Sequence, residues 1–351
     1  MARSETSYRI LVRRCVIVLA VAASLTAICS AQDDDVKVHI QPRPEASKLP
    51  EAKQPDAQPP ANLSDDPGLK INHGKPLQVD ADLVLVNVSV TDDGNRVVTG
   101  LDKENFRVME GNEIQNVRHF SAEDAPISLG LIFDMSGSMS DKIQRARAAV
   151  MEFFKTANPM DEFFMITFSD RPQLREDFTK SVEDVQGKLV YTLPQGTTAL
   201  LDAIYMGISK MKDAHNAKKA LLIISDGGDN HSRYTENEIK SMVKEADVQI
   251  YAIGIFSALP TEAEEIAGPA LLGEITNATG GRLFTVKSPN ELADVATKIG
   301  IELRNQYVLG YRPNNKARDG RWRKIKVKLI PPKGLPHLNV YAKTGYYAPS
   351  Q

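Results

Sequence analysis

Oxygen-bearing side chains follow an apolar run near the middle of the chain. Asp134, Ser136 and Ser138 occupy alternate positions where the run 129–134 ends. A short apolar run of this kind is typical of a strand buried on both faces, and the loop after it can direct alternating side chains toward one point. One carboxylate and two hydroxyls form a hard oxygen set, which favours Mg²⁺ over zinc or copper. Three ligands do not fill an octahedron, so the site requires help from elsewhere.

Two later stretches can provide that help. Thr197 and Thr198 stand at the start of a helical pattern, and Asp226 follows a second apolar run, 219–225. The order Asp-x-Ser-x-Ser, then Thr, then Asp at strand ends resembles the von Willebrand factor type A (VWA) domain with its metal-ion-dependent adhesion site. The resemblance covers residues 126 to 304. The alternative is a helix-capping loop without metal, because Ser and Asp are also common at caps and turns.

The resemblance implies a ligand set and a mode of binding. Thr198 is preferred to Thr197 because of its register to the following helix, although Gln195 stands where the family often has glycine. In the family, two serines and one further residue ligate directly, others act through water, and the remaining position accepts a carboxylate from a partner protein. The expected cofactor is Mg²⁺, with Mn²⁺ or Ca²⁺ as alternatives. The expected metal residues are Asp134, Ser136, Ser138, Thr198 and Asp226.

Enzyme functions are not expected. A phosphoryl-transfer aspartate loop carries a second carboxylate two residues on, where this chain has Ser136. The sequence has no GxSxG elbow and no HExxH helix. His231 is interpreted as an exposed loop residue and Asp202 as structural. Asp229 is either an outer neighbour of the metal or a turn residue.

The N-terminal 76 residues are predicted to be a leader and a spacer. Arginines precede an apolar run from Cys15 to Ile28, which indicates a signal peptide over residues 1–31. A lipoprotein cut at Cys29 and an uncleaved anchor are the alternatives. Cleavage after Ala31 would remove both cysteines. Residues 32–76 are rich in proline and charge, which predicts a disordered linker. We therefore expect an exported protein that is periplasmic, held at the cell surface or secreted.

The sequence from residue 77 to residue 348 predicts two kinds of structure. Residues 126–304 alternate strands with amphipathic helices, which predicts an α/β domain with a mostly parallel sheet flanked by helices. Residues 77–125 and 305–348 carry strand patterns only, and neither segment suffices for a core. We expect them to form one small antiparallel, sandwich-like β domain into which the α/β domain is inserted.

Motifs in the two β segments extend the resemblance. The segment 101–111 (LDKENFRVMEG), the segment 307–311 (YVLGY) and the closing segment 345–347 (GYY) are similar to those of a secreted bacterial, acidobacterial-type, VWFA-related family. Segment 322–329 alternates basic and apolar residues, and is interpreted as a half-buried strand with one solvated basic face, with a nucleic-acid surface as the alternative.

The net charge and the motifs together leave two classes of function open. A net charge of −2 over 351 residues argues against a nucleic-acid or anionic-membrane partner held mainly by electrostatics, and no nucleic acid is expected. No integral membrane span is expected in the mature chain. One hypothesis is a secreted metal-ion-dependent binding or adhesion module that recognises a carboxylate of a protein ligand. The alternative is a structural or assembly subunit of an envelope complex that uses the same fold without metal-gated binding. The oligomeric state stays open.

Overall fold

The computed structural model describes residues 83–190, 193–256, 263–286, 288–332, 334 and 336–350. The predicted signal peptide, the predicted linker and the first residues of the predicted β domain, 77–82, lie outside the described residues. No described helix is long and apolar enough to cross a membrane.

A six-stranded sheet forms the centre of the α/β part. Its strand order is β10-β9-β8-β5-β6-β7, and all neighbours are parallel except β6 and β7. The strands are β5 (Ile127–Asp134), β6 (Glu162–Phe168), β7 (Pro172–Thr179), β8 (Lys218–Ser225), β9 (Gln249–Gly254) and β10 (Leu283–Thr285). All eight residues of β5 are buried, as expected for a central parallel strand with both faces covered.

Helices cover both faces of this sheet. On one face lie α1 (Ile143–Phe154), α2 (Val182–Val190) and α6 (Leu292–Arg304), and on the other lie α3 (Leu200–Lys210), α4 (Glu236–Glu245) and α5 (Ala263–Thr279). The start of α4 shows how local sequence sets a boundary. Thr235 accepts a bond from the Glu238 amide while the Glu238 carboxylate accepts from the Thr235 amide. This capping box satisfies amides that lack a partner within the helix.

Two four-stranded antiparallel sheets make up the rest. Their orders are β13-β1-β11-β4 and β14-β12-β2-β3. The strands are β1 (Val84–Asp92), β2 (Phe106–Glu110), β3 (Glu113–Gln115), β4 (Val117–Ser121), β11 (Tyr307–Tyr311), β12 (Trp322–Leu329), β13 (Leu338–Ala342) and β14 (Gly345–Tyr347). A shared apolar cluster lies between them, in which the rings of Phe106 and Tyr307 are 4.9 Å apart.

Each antiparallel sheet combines strands from both sides of the α/β part. β11, which follows α6, pairs with β1 and with β4. β12 pairs with β2 in the same way. The predicted fold class, a mostly parallel sheet flanked by helices together with antiparallel sheets, is confirmed. The division at residues 125/126 and 304/305 stays a prediction.

The chain passes between the antiparallel sheets and the α/β part twice, and both crossings lie next to the carboxylate of Asp161. Asp161 is completely buried and accepts a bond from the Ile127 amide at the start of β5, 2.8 Å away. It also pairs with Arg304 at the end of α6. The entry to the α/β part and the exit from it are therefore tied together.

A second buried network joins α6 to the antiparallel sheets. Glu302 on α6 accepts from the Tyr251 hydroxyl at 3.0 Å and from Arg282 at 2.8 Å. Gln306 donates to the Tyr251 hydroxyl and to Ser89 of β1, both at 3.1 Å. Because each of these side chains is largely buried, the polar atoms depend on one another for hydrogen bonds.

Several elements differ from the sequence expectation. Within the strand patterns of 77–125, the segment 114–120 alternates as one strand would, but it forms two strands, β3 and β4, because the chain changes sheet at Asn116. After the turn at Asp93-Gly94, where the sequence favours a hairpin with a return strand at 96–98, the structure has only a bridge between Thr91 and Val97. The edge strand β7 and the short helix α2 were not predicted.

Candidate functional site

The first loop begins at the carboxyl end of β5. Asp134 is completely buried, and its Oδ1 accepts from the Ser136 amide at 2.9 Å and from the Ser136 hydroxyl at 2.6 Å. The hydroxyls of Ser136 and Ser138 are 3.0 Å apart. The alternating spacing therefore brings all three side chains to one place, as predicted.

The second loop is fastened to the first by its backbone. The Gln195 amide donates to the Met135 carbonyl at 2.8 Å, and the Gly137 amide donates to the Gly196 carbonyl at 3.1 Å. Gly196 has a φ of 86°, in the left-handed region that favours glycine. The two loops thus form one rim above β5.

The two threonines of this loop have different surroundings. Thr197 is exposed, and both its hydroxyl and its amide donate to Asp170 Oδ1 at 2.6 Å. Thr198 is buried, and its amide donates to Asn230 Oδ1 at 2.9 Å while its carbonyl accepts from the Asn230 amide at 3.0 Å. The two threonines therefore have different partners, and the preference for Thr198 stays a prediction.

The third loop begins at the carboxyl end of β8, the strand next to β5. The hydroxyl of Ser225 donates to Asp134 Oδ2 at 2.6 Å. Asp226 follows, with its side chain 10% exposed, and Lys142 Nζ lies 3.2 Å from its Oδ2. Lys142 directly precedes α1, and its own side chain is only 18% exposed.

The negative charges of the site's two carboxylates are only partly compensated by neighbouring groups. Burial raises the pKa of Asp134 to about 6, and the negative charge of Asp226 adds to the rise. Hydrogen bonds from Ser136 and Ser225 act in the opposite direction. Two nearly buried carboxylates thus face each other, and Lys142 is the cation that pairs with one of them. A divalent cation at this point would relieve the repulsion.

The donor set fits a hard cation. Its members are the carboxylates of Asp134 and Asp226 and the hydroxyls of Ser136, Ser138 and Thr198. No group of three or more His, Cys, Asp or Glu suited to a metal occurs among the described residues, so a metal here would depend on the hydroxyls. Oxygen ligands with few charges suit Mg²⁺, Mn²⁺ or Ca²⁺ rather than a soft metal.

Other residues singled out from the sequence have structural partners. Asp229 Oδ2 accepts from the Leu201 amide at 2.9 Å, at the start of α3. Asp202 is buried and accepts from the amides of Arg233 and Tyr234. His231 is exposed, as expected.

Two residues of the site were missed. Ser225 counts as the last residue of an apolar strand, and only the pairing of β8 with β5 places its hydroxyl on Asp134. Lys142 lies eight positions after Asp134, and no motif predicts that it contacts the site. Its position four residues after Ser138, about one helical turn, is the sequence feature that could have indicated this contact.

Residues 129–228 match the family profile of the von Willebrand factor type A domain. The chain contains a VWA domain. The match covers all three loops and both central strands. The narrower acidobacterial-type grouping stays a prediction.

Curated relatives share this part of the chain. An uncharacterized protein of Borreliella burgdorferi is 26% identical over 127 residues, which are 32% of this chain and 36% of that protein. The inter alpha-trypsin inhibitor heavy chain 4 of Mus musculus is 27% identical over 146 residues, which are 37% of this chain and 16% of that protein. The chain thus spans only about a third or less of their lengths.

Two solved structures are similar to parts of this chain at low identity. The von Willebrand factor type A protein from Catenulispora acidiphila has a TM-score of 0.47 and 14% identity, and the match covers 76% of this chain and 62% of that one. The mussel byssus proximal thread matrix protein 1, described with a zinc-occupied MIDAS motif, has a TM-score of 0.43 and 17% identity, covering 55% and 49%.

Proposed function

We propose that this VWA protein is an exported, metal-ion-dependent binding module that recognises an acidic group of a protein ligand. The observation that carries the proposal is the site itself. At the carboxyl ends of β5 and β8, Asp134 accepts bonds from the hydroxyls of Ser136 and Ser225, the Ser138 hydroxyl lies 3.0 Å from that of Ser136, and the nearly buried Asp226 is next in the chain after Ser225. The carboxyl ends of parallel strands are where α/β folds bind ligands.

Each residue has a role in this proposal. Ser136, Ser138 and Thr198 would hold Mg²⁺ directly, and Asp134 and Asp226 would hold its bound waters. When bound, the ion supplies a positive centre that accepts a carboxylate from the partner. The protein's own contribution is to fix the hydroxyls, since Asp134 holds Ser136 and Asn230 holds the backbone of Thr198. We propose no enzymatic role, because Asp134 positions the hydroxyls of Ser136 and Ser225 and Asp226 is paired with Lys142.

A structural subunit of an envelope complex is the second candidate. The ion pair between Lys142 and Asp226 favours it, because a lysine at 3.2 Å provides a positive charge without any metal. If Lys142 is a permanent counterion, the fold needs no cation. The two candidates therefore differ in whether Mg²⁺ binds and whether a partner requires it.

Calorimetry and thermal unfolding in Mg²⁺ and in EDTA test the proposal. Mg²⁺ at 100 times its Kd should stabilise the protein by about 2.7 kcal/mol, because it binds only the native state. Asp134→Asn should abolish this gain, and Asp226→Asn should weaken it.

Asp202→Asn is the matched control. It also removes a buried carboxylate of the VWA domain, but one that holds the backbone at 233–234, the far end of the third loop, and bonds to none of the expected metal residues. It should lower stability and leave Mg²⁺ binding intact. Equal Mg²⁺ binding by Asp134→Asn and the parent protein would refute the metal site. Capture of a partner from extracellular fractions equally well in EDTA would favour the structural subunit.

A further inference from the structure

The outer face of the sheet β14-β12-β2-β3 carries a dense group of positive charges. Lys324, Lys326 and Lys328 alternate along β12 with residues that are buried or half-buried, so all three point outward. Arg107 on β2 is exposed and directly opposite Lys328. We call these four residues the basic face.

The spacing of these charges follows from strand geometry. Alternate residues on one strand are about 7 Å apart, and directly opposed residues have Cβ atoms about 5 Å apart. Four cations therefore lie within about 14 Å along β12, a distance comparable to the screening length at moderate salt. None of the four forms an ion pair with any described residue.

This arrangement is unfavourable in the isolated protein. Like charges directly opposite each other on neighbouring strands destabilise a sheet, and Lys328 faces Arg107 in this way. The chain as a whole has a net charge of −2, so the concentration of charge is local. A negatively charged partner would relieve the repulsion.

Apolar side chains on the same face narrow the choice of partner. Met109 is opposite Lys326, and Ile114 on β3 is opposite Met109. Ile114 is 58% exposed, and Ile330, two residues beyond Lys328, is 46% exposed. A soluble polyanion gains nothing from exposed isoleucines. The boundary between lipid headgroups and acyl chains takes up cations and apolar side chains together.

We propose that the basic face docks the protein onto a membrane surface that contains anionic lipid. The lysines and Arg107 bind headgroup phosphates, and Ile114 and Ile330 enter the interface at two corners of the face. No residue of this surface belongs to the metal site, so docking leaves the three loops of the VWA domain unused. A protein bound in this way is held at a membrane by its folded part.

Vesicle binding by the full chain tests this proposal. The probes are vesicles of 30% phosphatidylglycerol in phosphatidylcholine and vesicles of phosphatidylcholine alone, at low salt and in EDTA. Each lysine near an anionic surface contributes about fivefold to partitioning, so K324Q/K326Q/K328Q should lower the preference for phosphatidylglycerol on the order of 100-fold. Salt at 1 M should lower the parent's preference similarly, because it screens the charges.

A matched variant separates the basic face from total charge. K180Q/K212Q/K298Q removes three exposed lysines of the VWA domain that form no ion pair with described residues. It should keep the parent's preference. I114S/I330S should lower binding at high salt, where the apolar contribution remains. Both triple variants keep the buried residues of their elements, and circular dichroism checks that they fold.

Three results would overturn the proposal. One is a parent protein with no preference for phosphatidylglycerol, and another is an equal loss in both triple variants. The third is tighter binding to duplex DNA or poly-glutamate than to the anionic vesicles, which would assign the face to a soluble polyanion.

Discussion

Replacing Lys142 by methionine should have opposite effects with and without metal. Lys142 Nζ is 3.2 Å from Asp226, and the two side chains are 18% and 10% exposed. Methionine keeps the length of the side chain and removes the charge. In EDTA, Asp226 then faces Asp134 without its cation.

The loss of stability in EDTA follows from this burial. Breaking a buried ion pair costs about 3–5 kcal/mol, and partial exposure of Lys142 reduces this to about 2 kcal/mol. For a folded part of about 260 residues, about 2 kcal/mol corresponds to a fall in Tm of about 3–4 °C.

The gain in Mg²⁺ affinity follows from repulsion. If Asp226 holds the ion through a bound water, the ion would lie about 4 Å from its oxygen and about 7 Å from Lys142, where a divalent and a monovalent cation repel by about 1.2 kcal/mol even at the dielectric constant of water. Removing Lys142 should therefore tighten Mg²⁺ binding by about tenfold. The Tm deficit of Lys142→Met should then disappear in saturating Mg²⁺.

The assay is differential scanning fluorimetry in EDTA and over a Mg²⁺ titration, with calorimetry for Kd. Lys210→Met is the control, since the Lys210 side chain is 19% exposed and paired with Asp177 and Asp213 away from the three loops. It should leave the Kd unchanged. An unchanged Tm of Lys142→Met in EDTA, or unchanged Mg²⁺ affinity, would refute the reasoning.

Three further outcomes are expected. In EDTA, the stability that Asp134 contributes should be present below pH 4 and lost as pH rises through about 6, because its pKa is raised in the folded state. The difference in unfolding free energy between the parent and Asp134→Asn should therefore shrink by up to about 3 kcal/mol over that range in urea titrations, and a flat difference would contradict the burial argument. Glu302→Gln should lower the free energy of unfolding by about 3 kcal/mol, because it leaves Arg282 buried without its counter-charge. Adding Arg282→Met should restore part of this stability. Additive losses in a double-mutant cycle would show that the two side chains do not interact. Residues 77–125 expressed alone should stay unfolded by circular dichroism and amide exchange, because β1 and β2 take their partners β11 and β12 from beyond the VWA domain.

The positions of Asp134 and Asp226 were predictable because each stands at the end of a run of mainly apolar residues. Such strands must lie centrally in a parallel sheet, and the ends of neighbouring parallel strands coincide. The site's hydroxyls followed from the alternating spacing after Asp134. The role of Ser225 and the pairing of Lys142 with Asp226 depend on which strands are neighbours and where α1 begins. Periodicity does not contain that information.

The antiparallel part was harder to predict for a related reason. β7 has a charged, partly exposed sequence because it lies at a sheet edge, so it lacks the apolar signal of β5. The change of sheet at Asn116 leaves the alternation of buried and exposed residues intact. A sequence pattern shows this alternation but does not show which strands are neighbours.

The meeting of both chain crossings at Asp161 has a mechanical consequence. A domain joined by one linker can swivel about that linker, whereas a domain joined by two adjacent crossings can bend but cannot rotate freely. Force applied at the three loops would pass through β5 and α6 in parallel, and the Asp161–Arg304 pair and the Ile127 amide bond would share it. Torque would thus reach the antiparallel sheets instead of being lost in a swivel.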